Sequence, residues 1–470
     1  MSTTFDDVCT LLTGATVRPA SFFITSESTA PADYLALRRA VFVERFGLFD
    51  RDDADDHDAS AHTVTLVARS ADGTLLGGVR VHAPTGDPGL GWWRGGRLAV
   101  RDDAPAGVGS ALVRAACATA EGLGALRFDA QIVPANRAFF ERLGWTVVRS
   151  VVAHGREHLL LDWPVARVAA LVAATKAPLA ALLEPLRAAG GLGGAGFVGD
   201  DAAPIGNTVF ASVDAIVPSM VERDPEWAGW CGVLVGANDL AAMGALTPDG
   251  RGNGLLDALG SPDAAHAARV ITGLRRGAEA FGLPVLGGHT QLGVPAALSV
   301  TAFGATDHPV RGGAGRVGDV VSLTADLGGA WRSGYTGRQW DSSSGRSREN
   351  IAAMTSVVGR TRPHAAKDVS MAGVIGTLGM LAEASGTGAV LDVGAVPRPG
   401  GTAHGDWLTC FPGFGMLTTD APGRPVAPAG PAVTSACGEL TTSPGVRLRW
   451  PDGEVTVAVP GGVTGLGAAA

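Results

Sequence analysis

Between Tyr34 and Phe46 (YLALRRAVFVERF) apolar residues recur at helical spacing with charges between them, which predicts an amphipathic helix. Thr63–Ala68 and Thr74–Val81 alternate like half-buried strands, and Ala71-Asp72-Gly73 between them is a hairpin turn signal. Trp92–Val100 reads as a further strand, Gly109–Leu123 as a helix, Arg127–Val133 as a strand and Pro134–Leu143 as a short helix. Thr146–Ala153 and His158–Trp163 close this block as strands. The order predicts one α+β domain built on a mixed sheet with helices. A helical segment, Ala166–Ala189, then leads into a glycine-rich run, Gly190–Gly196, expected to be flexible. Beyond it, apolar strands alternate with glycine-rich turns in what reads as two lobes meeting near Gly312–Gly318. Gly328–Arg348 is polar and rich in Gly and Ser, the composition of a long mobile loop. The expected divisions are 1–164, 165–311, 312–460 and a frayed tail at 461–470, with no internal repeat.

Composition narrows the classes. A chain of 470 residues, 46% hydrophobic, is long enough for two or three cores. A formal net charge of −8 argues against a general binder of nucleic acid or of anionic membranes. The five cysteines (Cys9, Cys117, Cys231, Cys410 and Cys437) are odd in number and never spaced CxxC. That disfavours a disulfide framework or a zinc knuckle and points to a reducing, cytoplasmic setting. Met1–Asp7 lacks the basic-then-apolar pattern of a signal peptide. The apolar stretch Val165–Leu186 is interrupted by Arg167, Lys176, Pro178, Glu184 and Pro185, so it is expected not to span a bilayer and the protein to be soluble.

In the first block the chemistry gathers around Leu98-Ala99-Val100 and, after a short link, Gly107-Val108-Gly109-Ser110 at the start of a helix. Glycines there let backbone N–H groups converge on an anion at the helix N-terminus. Downstream comes Pro134-Ala135-Asn136-Arg137-Ala138-Phe139-Phe140-Glu141-Arg142-Leu143-Gly144-Trp145. With these segments and the opening helix, residues 21–164 resemble the GNAT acyltransferases. The resemblance implies that Gly107, Val108, Gly109 and Ser110 hold the pyrophosphate of acetyl-CoA or another acyl-CoA. It also implies that Leu98 and Val100 flank the pantetheine and that Asn136 bonds near the cofactor. Two positions depart from the pattern. Ala104 stands where the family usually has Gln or Arg, and losing a charge-assisted hydrogen bond of about 1.5–3 kcal/mol costs about tenfold or more in affinity. Phe140 stands at the usual tyrosine acid and has no proton to give. A base would come from Glu44, His62 or His154, among which the sequence does not choose. The acidic run Asp50–Asp58 does not fit an EF-hand and is expected to be a solvated loop, with a metal or polyamine site as the alternative. His154 and His158 straddle a turn and are expected to be structural, with a substrate or metal role as the alternative.

In the second block, Gly199-Asp200-Asp201-Ala202-Ala203 puts two carboxylates in a tight turn, Asp214 ends a strand, and Asn238-Asp239-Leu240-Ala241-Ala242-Met243-Gly244-Ala245 follows. Carboxylates held together repel unless cations join them, and Mg²⁺ with a nucleotide's phosphates is the natural joiner. These segments, with Gly287-Gly288-His289-Thr290, Arg316–Val321 and Lys367–Gly373, resemble the AIR synthetase (PurM-like) superfamily over residues 185–460. The likeness extends to its AIR synthase-related subgroup, some of whose members carry a GNAT domain in front and occur in gene clusters built around a nitrilase. The resemblance implies a dimerising β-barrel lobe followed by an α/β lobe. It implies Mg²⁺ on Asp200, Asp201, Asp214 and Asp239, and metal or phosphate on Asp368. Asn238, Gly287 and Gly288 would approach the nucleotide, and His289 would touch phosphate or carry a proton, with a core histidine as the alternative. Met371 replaces the second Asp of the kinase motif, which argues against thiamine-monophosphate kinase activity. The absence of a Cys near the start of the lobe argues against selenophosphate synthesis. Arginines and tryptophans of the Gly328–Arg348 loop are candidates to close over an anionic substrate, or simply to be solvated.

The expectation is a homodimeric, bifunctional enzyme of the cytoplasm. One domain would use Mg-ATP to phosphorylate, dehydrate or cyclise a small metabolite, and the other would transfer an acyl group from acyl-CoA. The rival from another class is a non-catalytic sensing or scaffold protein that keeps both folds, which Ala104, Phe140 and Met371 favour.

Overall fold

The computed structural model describes residues 21–247, 250 and 252–469, in two compact units that divide between Val165 and Ala166. Met1–Asp7 and Cys9 lie outside the described residues.

Unit 1 is a seven-stranded sheet. In chain order come β1 (Phe22–Glu27), α1 (Ala32–Arg39), β2 (Val64–Ser70), β3 (Leu75–His82), β4 (Trp92–Val100) and α2 (Val108–Gly122). They are followed by β5 (Arg127–Ile132), α3 (Arg137–Arg142), β6 (Thr146–Ala153) and β7 (Arg156–Trp163). The strand order is β1-β2-β3-β4-β5-β7-β6, antiparallel except for the parallel pair β4–β5. Alternation sorts the strands between two cores. Leu66 and Ala68 pack with Leu112, Val113 and Ala116 of α2, whereas Val67 between them packs with Tyr34 of α1. The helix expected at 34–46 continues past Arg39 as a π-helical stretch, Ala40–Arg45. β1 escaped the sequence reading because it lies at the sheet edge and alternates weakly, with Phe23 half exposed.

The acidic run is solvated only in part, which corrects the expectation: Asp50, Asp52 and Asp56 are exposed, but Asp53, Asp55 and Asp58 pair with arginines of the interior. Arg38, fully buried, donates to both oxygens of Asp58 at 2.7 and 2.9 Å and to Asp53 at 2.7 Å. Arg80 donates to Asp55 at 2.6 and 2.7 Å and to Asp58 at 2.7 Å, and Arg97 donates to Asp55 at 3.0 Å. α1, β3 and β4 carry three guanidinium groups inward, and a buried cation needs a fixed counter-charge. His154 and His158 sit on the β6–β7 hairpin, and His154 rests against Phe49 with ring centroids 4.5 Å apart.

Unit 2 opens with α4 (Arg167–Thr175) and α5 (Leu179–Ala188). By length and composition alone, 167–188 is apolar enough to cross a membrane, but a turn at 176–178 breaks it in two. The first lobe contains β8 (Ala203–Ile205), β9 (Val209–Ala215), α6 (Pro218–Arg223), α7 (Pro225–Ala242), β10 (Gly254–Ser261), α8 (Ala264–Phe281), β11 (Val285–Leu292) and β12 (Ala297–Ala305). Its sheet runs β11-β10-β12-β9-β8. Within one chain this sheet is open at both edges rather than closed into a barrel. The second lobe begins with β13 (Val320–Ala325), β14 (Ala330–Trp331), β15 (Trp340–Asp341), α9 (Arg348–Thr355) and α10 (Val357–Thr361). It continues with β16 (Ala365–Asp368), α11 (Gly373–Ala384), β17 (Gly388–Asp392), α12 (His404–Trp407), β18 (Gly415–Asp420), β19 (Val433–Thr441), β20 (Gly445–Arg449) and β21 (Val455–Val459). Its main sheet runs β16-β18-β13-β19-β17-β20-β21.

α7 joins the two lobes. It packs on β9, β12 and α8 on one side and on β16 on the other, and is buried nearly all round. That is why its sequence, WAGWCGVLVGA, lacks a polar face. Two glycines make the α7–α8 contact possible. A Cβ on Gly229 would stand 2.1 Å from Val270 O, and one on Gly273 would stand 1.9 Å from Glu226 O.

Two further expectations are corrected. The 328–348 segment, expected to be a long mobile loop, is tied down at several points. Trp340 is buried, donates to Gly328 O at 2.6 Å and meets Trp331 edge-on, while Arg332 is held by Asp224 at 2.7 Å and Arg346 by Asp326 at 2.6 Å. Buried aromatic area outweighs the polar composition there. Residues 461–469 do not fray, because the N–H groups of Val463, Thr464 and Gly467 all donate to Glu383, and Ala469 N–H donates to Ala384 O.

Candidate functional site

Four carboxylates from four different elements meet where the lobes of unit 2 adjoin. Asp201 comes from the turn before β8, Asp214 from the end of β9, Asp239 from the last turn of α7 and Asp368 from the end of β16. One oxygen each of Asp201, Asp239 and Asp368 lies within 4.8 Å of the others. Asp214 lies against Asp239, and its Oδ2 is buried without a hydrogen-bond donor among the described residues. Asp200 turns aside, accepting the N–H of Gly312 on both oxygens at 3.0 Å.

A lysine that the sequence reading passed over is the centre of this arrangement. Lys367 is almost fully buried, and its ammonium donates to Asp201 Oδ1 and, at 3.0 Å, to Gly199 O. The other oxygen of Asp201 accepts the backbone N–H of Asp368 at 3.1 Å. β16 is an edge strand, paired only with β18, so this N–H is available to a side chain from the other lobe. Asp201 is thereby clamped by two adjacent residues of one strand. The signal was a Lys directly before an Asp in an otherwise apolar strand, Ala365-Ala366-Lys367-Asp368. Lys176, at the end of α4, is the second missed cation and favours the ionised forms of Asp214 and Asp368.

The electrostatics follow from crowding. Burial first, then the charges of Asp368, Asp214 and Asp201, hold the Asp239 carboxyl well above the usual range. Burial and the Asp201 charge do the same to Asp368, with Lys367 opposing. Burial raises Asp214 and lifts Asp200 to about 6. For Lys367, burial alone would favour the neutral amine, but Asp201 and Asp200 win and keep the ammonium charged.

The remaining expected residues of unit 2 lie elsewhere. Asn238 is buried on α7 and donates to Gly413 O at 2.7 Å, tying the helix to the loop before β18. Gly287, Gly288 and His289 are exposed on edge strand β11, three strands from Asp214. His289 pairs with Ala258 on the exposed face, whereas Asp214 belongs to the face covered by α7. One chain therefore does not bring His289 to the carboxylates.

In unit 1, β4 and β5 pair only from Trp92–Arg127 to Gly95–Ala130, then part. Leu98 and Val100 lie on the diverging half of β4. Arg97, just before them, has the left-handed φ of 57° and marks a bulge against β3. Gly107 opens α2 with φ of 99°, and Ser110 Oγ donates back to Gly107 O at 2.8 Å. A Cβ on Gly109 would stand 3.7 Å from both Val100 and Phe139, so the helix start, the parted strand and α3 adjoin. Asn136 is exposed at the start of α3, and Phe140 is buried edge-on to Trp145.

Residues 199–306 match the N-terminal domain of the AIR synthase related proteins, and residues 316–427 match their C-terminal domain. The chain is 32% identical over 234 residues to protein sll0787 of Synechocystis sp., a match covering 48% of this chain and 70% of that protein. It is 33% identical over 203 residues to protein MJ0640 of Methanocaldococcus jannaschii, covering 41% and 60%. Among solved structures, PurL of T. maritima complexed with AMPPCP aligns with a TM-score of 0.50 and 16% identity, over 65% of this chain and 51% of that one. By these matches, in the half of the chain that holds the clustered aspartates, this protein belongs to the AIR synthase-related family.

Proposed function

We propose that unit 2 binds Mg-ATP between its lobes and uses it to activate a small metabolite, by phosphorylation or by ATP-driven dehydration or cyclisation. The observation that carries this is the convergence of Asp201, Asp214, Asp239 and Asp368 from four elements on one place. The residues fit a hard cation: oxygen donors only, three of them within 4.8 Å, and a buried Asp214 oxygen lacking a donor among the described residues. Magnesium held there would offset the negative charge of the phosphates. The AMPPCP complex of T. maritima PurL supports a nucleotide as the companion ligand. The chain's own residues supply rigidity. α7 is fixed on both sides, and Asp201 is clamped by Lys367 and the Asp368 N–H, so the carboxylates are held in place before any ligand arrives. Asp200 braces the turn through Gly312 and is a weaker candidate for a metal ligand than its neighbour.

Thermal unfolding of the full chain with Mg²⁺ and AMPPCP tests this reading. At about 100 times its Kd a ligand adds about 2.7 kcal/mol to the state that binds it. A rise in melting temperature that disappears in Asp239→Asn supports the proposal. If the nucleotide leaves the melting curve unmoved, the scaffold alternative stands.

A second reading concerns unit 1: an acyl-CoA site in the wedge between β4 and β5, as in a GNAT acyltransferase. The specific observation in its favour is the early end of the only parallel pair in this sheet, beside a glycine-opened helix start. Acetyl-CoA added without nucleotide should then stabilise unit 1. No shift at millimolar acetyl-CoA would remove this reading and leave the first untouched.

A further inference from the structure

We propose that the Lys367 ammonium is a resident cation that takes the place of one divalent ion, so that the carboxylate cluster accepts a single ion rather than two. The inference rests on the metal reading above and concerns how many ions that site takes. Five aspartates (Asp200, Asp201, Asp214, Asp239 and Asp368) surround or adjoin the place, and Lys367 is the one basic side chain hydrogen-bonded to any of them among the described residues. It is 3% exposed, so its charge is not there to meet solvent. Its partners are Asp201 Oδ1 and Gly199 O, both in the acidic turn, an all-oxygen environment of the kind a hard metal ion also selects. A side chain in that position excludes an ion from the same oxygens. Asp239 and Asp368, which each place an oxygen within 4.8 Å of one of Asp201, and Asp214 beside Asp239 with its unmatched Oδ2, are where the single ion would sit. Lys367 is thus a positioning residue: it holds Asp201 and sets the charge that remains for a metal to balance.

The test is the number of Mn²⁺ ions bound per chain, counted by equilibrium dialysis on the intact protein without nucleotide. Wild type is expected to saturate at one ion per chain, Lys367→Arg at one, and Lys367→Gln at two, because a neutral side chain vacates the second place and leaves its charge unbalanced. A merely structural lysine would change stability without changing this count. Two ions in wild type, or one in a folded Lys367→Gln, overturns the proposal while leaving the metal site intact. No Mn²⁺ in wild type sinks the metal reading itself and this inference with it. Should Lys367→Gln fail to fold without metal, the wild-type count still decides, and refolding the variant in Mn²⁺ must recover a two-ion protein.

Discussion

At the residue scale, the acidic cluster of unit 2 and the buried His82 of unit 1 give opposite responses to pH. Asp200 titrates near 6 when folded, and Asp214, Asp239 and Asp368 are also raised, against about 3.9 for an unfolded aspartate. The folded state therefore holds more protons than the unfolded one above pH 4. Metal-free unit 2 should lose stability as pH rises from about 4 through 6 and beyond. Melting curves across that range check this, and Asp239→Asn, which ends the need to protonate or bury that carboxylate, should melt higher without metal, by about 2–4 °C for each kcal/mol relieved. In unit 1, His82 behaves in the reverse sense. Burial, then the nearby Arg80, His57 and Arg94, hold the ring neutral down to about 2, whereas the unfolded ring takes a proton near 6.5. Its contribution is present above 6.5 and is lost below it at about 1.4 kcal/mol per pH unit. His82→Phe should flatten the acid limb of the unit 1 transition, and an unchanged slope between pH 6.5 and 4.5 would contradict the assignment.

At the element scale, the contact of α7 with α8 governs where Asp239 stands. The backbones touch at Gly229 and Gly273, so a single methyl group must push the helices apart. Gly273→Ala should cost at least about 1–3 kcal/mol, read from urea unfolding, and weaken any Mg²⁺-dependent shift as well. Strong periodicity made elements such as β4, α2 and β6 legible from sequence. So did the aspartates, because paired carboxylates in turns and at strand ends are an unusual way to spend charge. What stayed hidden has physical causes. Lys367 and Lys176 act on acids distant in sequence, Lys367 on Asp201 166 residues away, so a Lys-Asp pair in an apolar strand did not by itself say which carboxylate the lysine holds. The acidic run at 50–58 looked solvated because its partners, Arg38, Arg80 and Arg97, become interior only once the sheet has formed. The 328–348 segment looked mobile by composition, yet Trp340 and two arginines paired across elements anchor it. His289 was grouped with the site by motif, while strand parity sends it to the other face.

At the scale of the whole molecule, the first lobe of unit 2 leaves an apolar sheet face uncovered: Val213 is 71% exposed and Leu286 65%, with Leu256 close by. Exposed apolar surface on a sheet with open edges calls for a partner, and a second copy of the chain is the occupant we propose. Light scattering should give twice the chain mass at micromolar concentration, and Leu286→Asp should shift it toward the monomer. A wild-type protein that stays monomeric at high concentration would remove the dimer from the account. The clamp on Asp201 carries a consequence for the unit's internal motion. The amide proton of Asp368 sits on the free side of an edge strand and is protected by a carboxylate belonging to the opposite lobe. Deuterium can replace it when the lobes merely part, without any strand unravelling, so its exchange rate is a built-in gauge of how often the two halves breathe open.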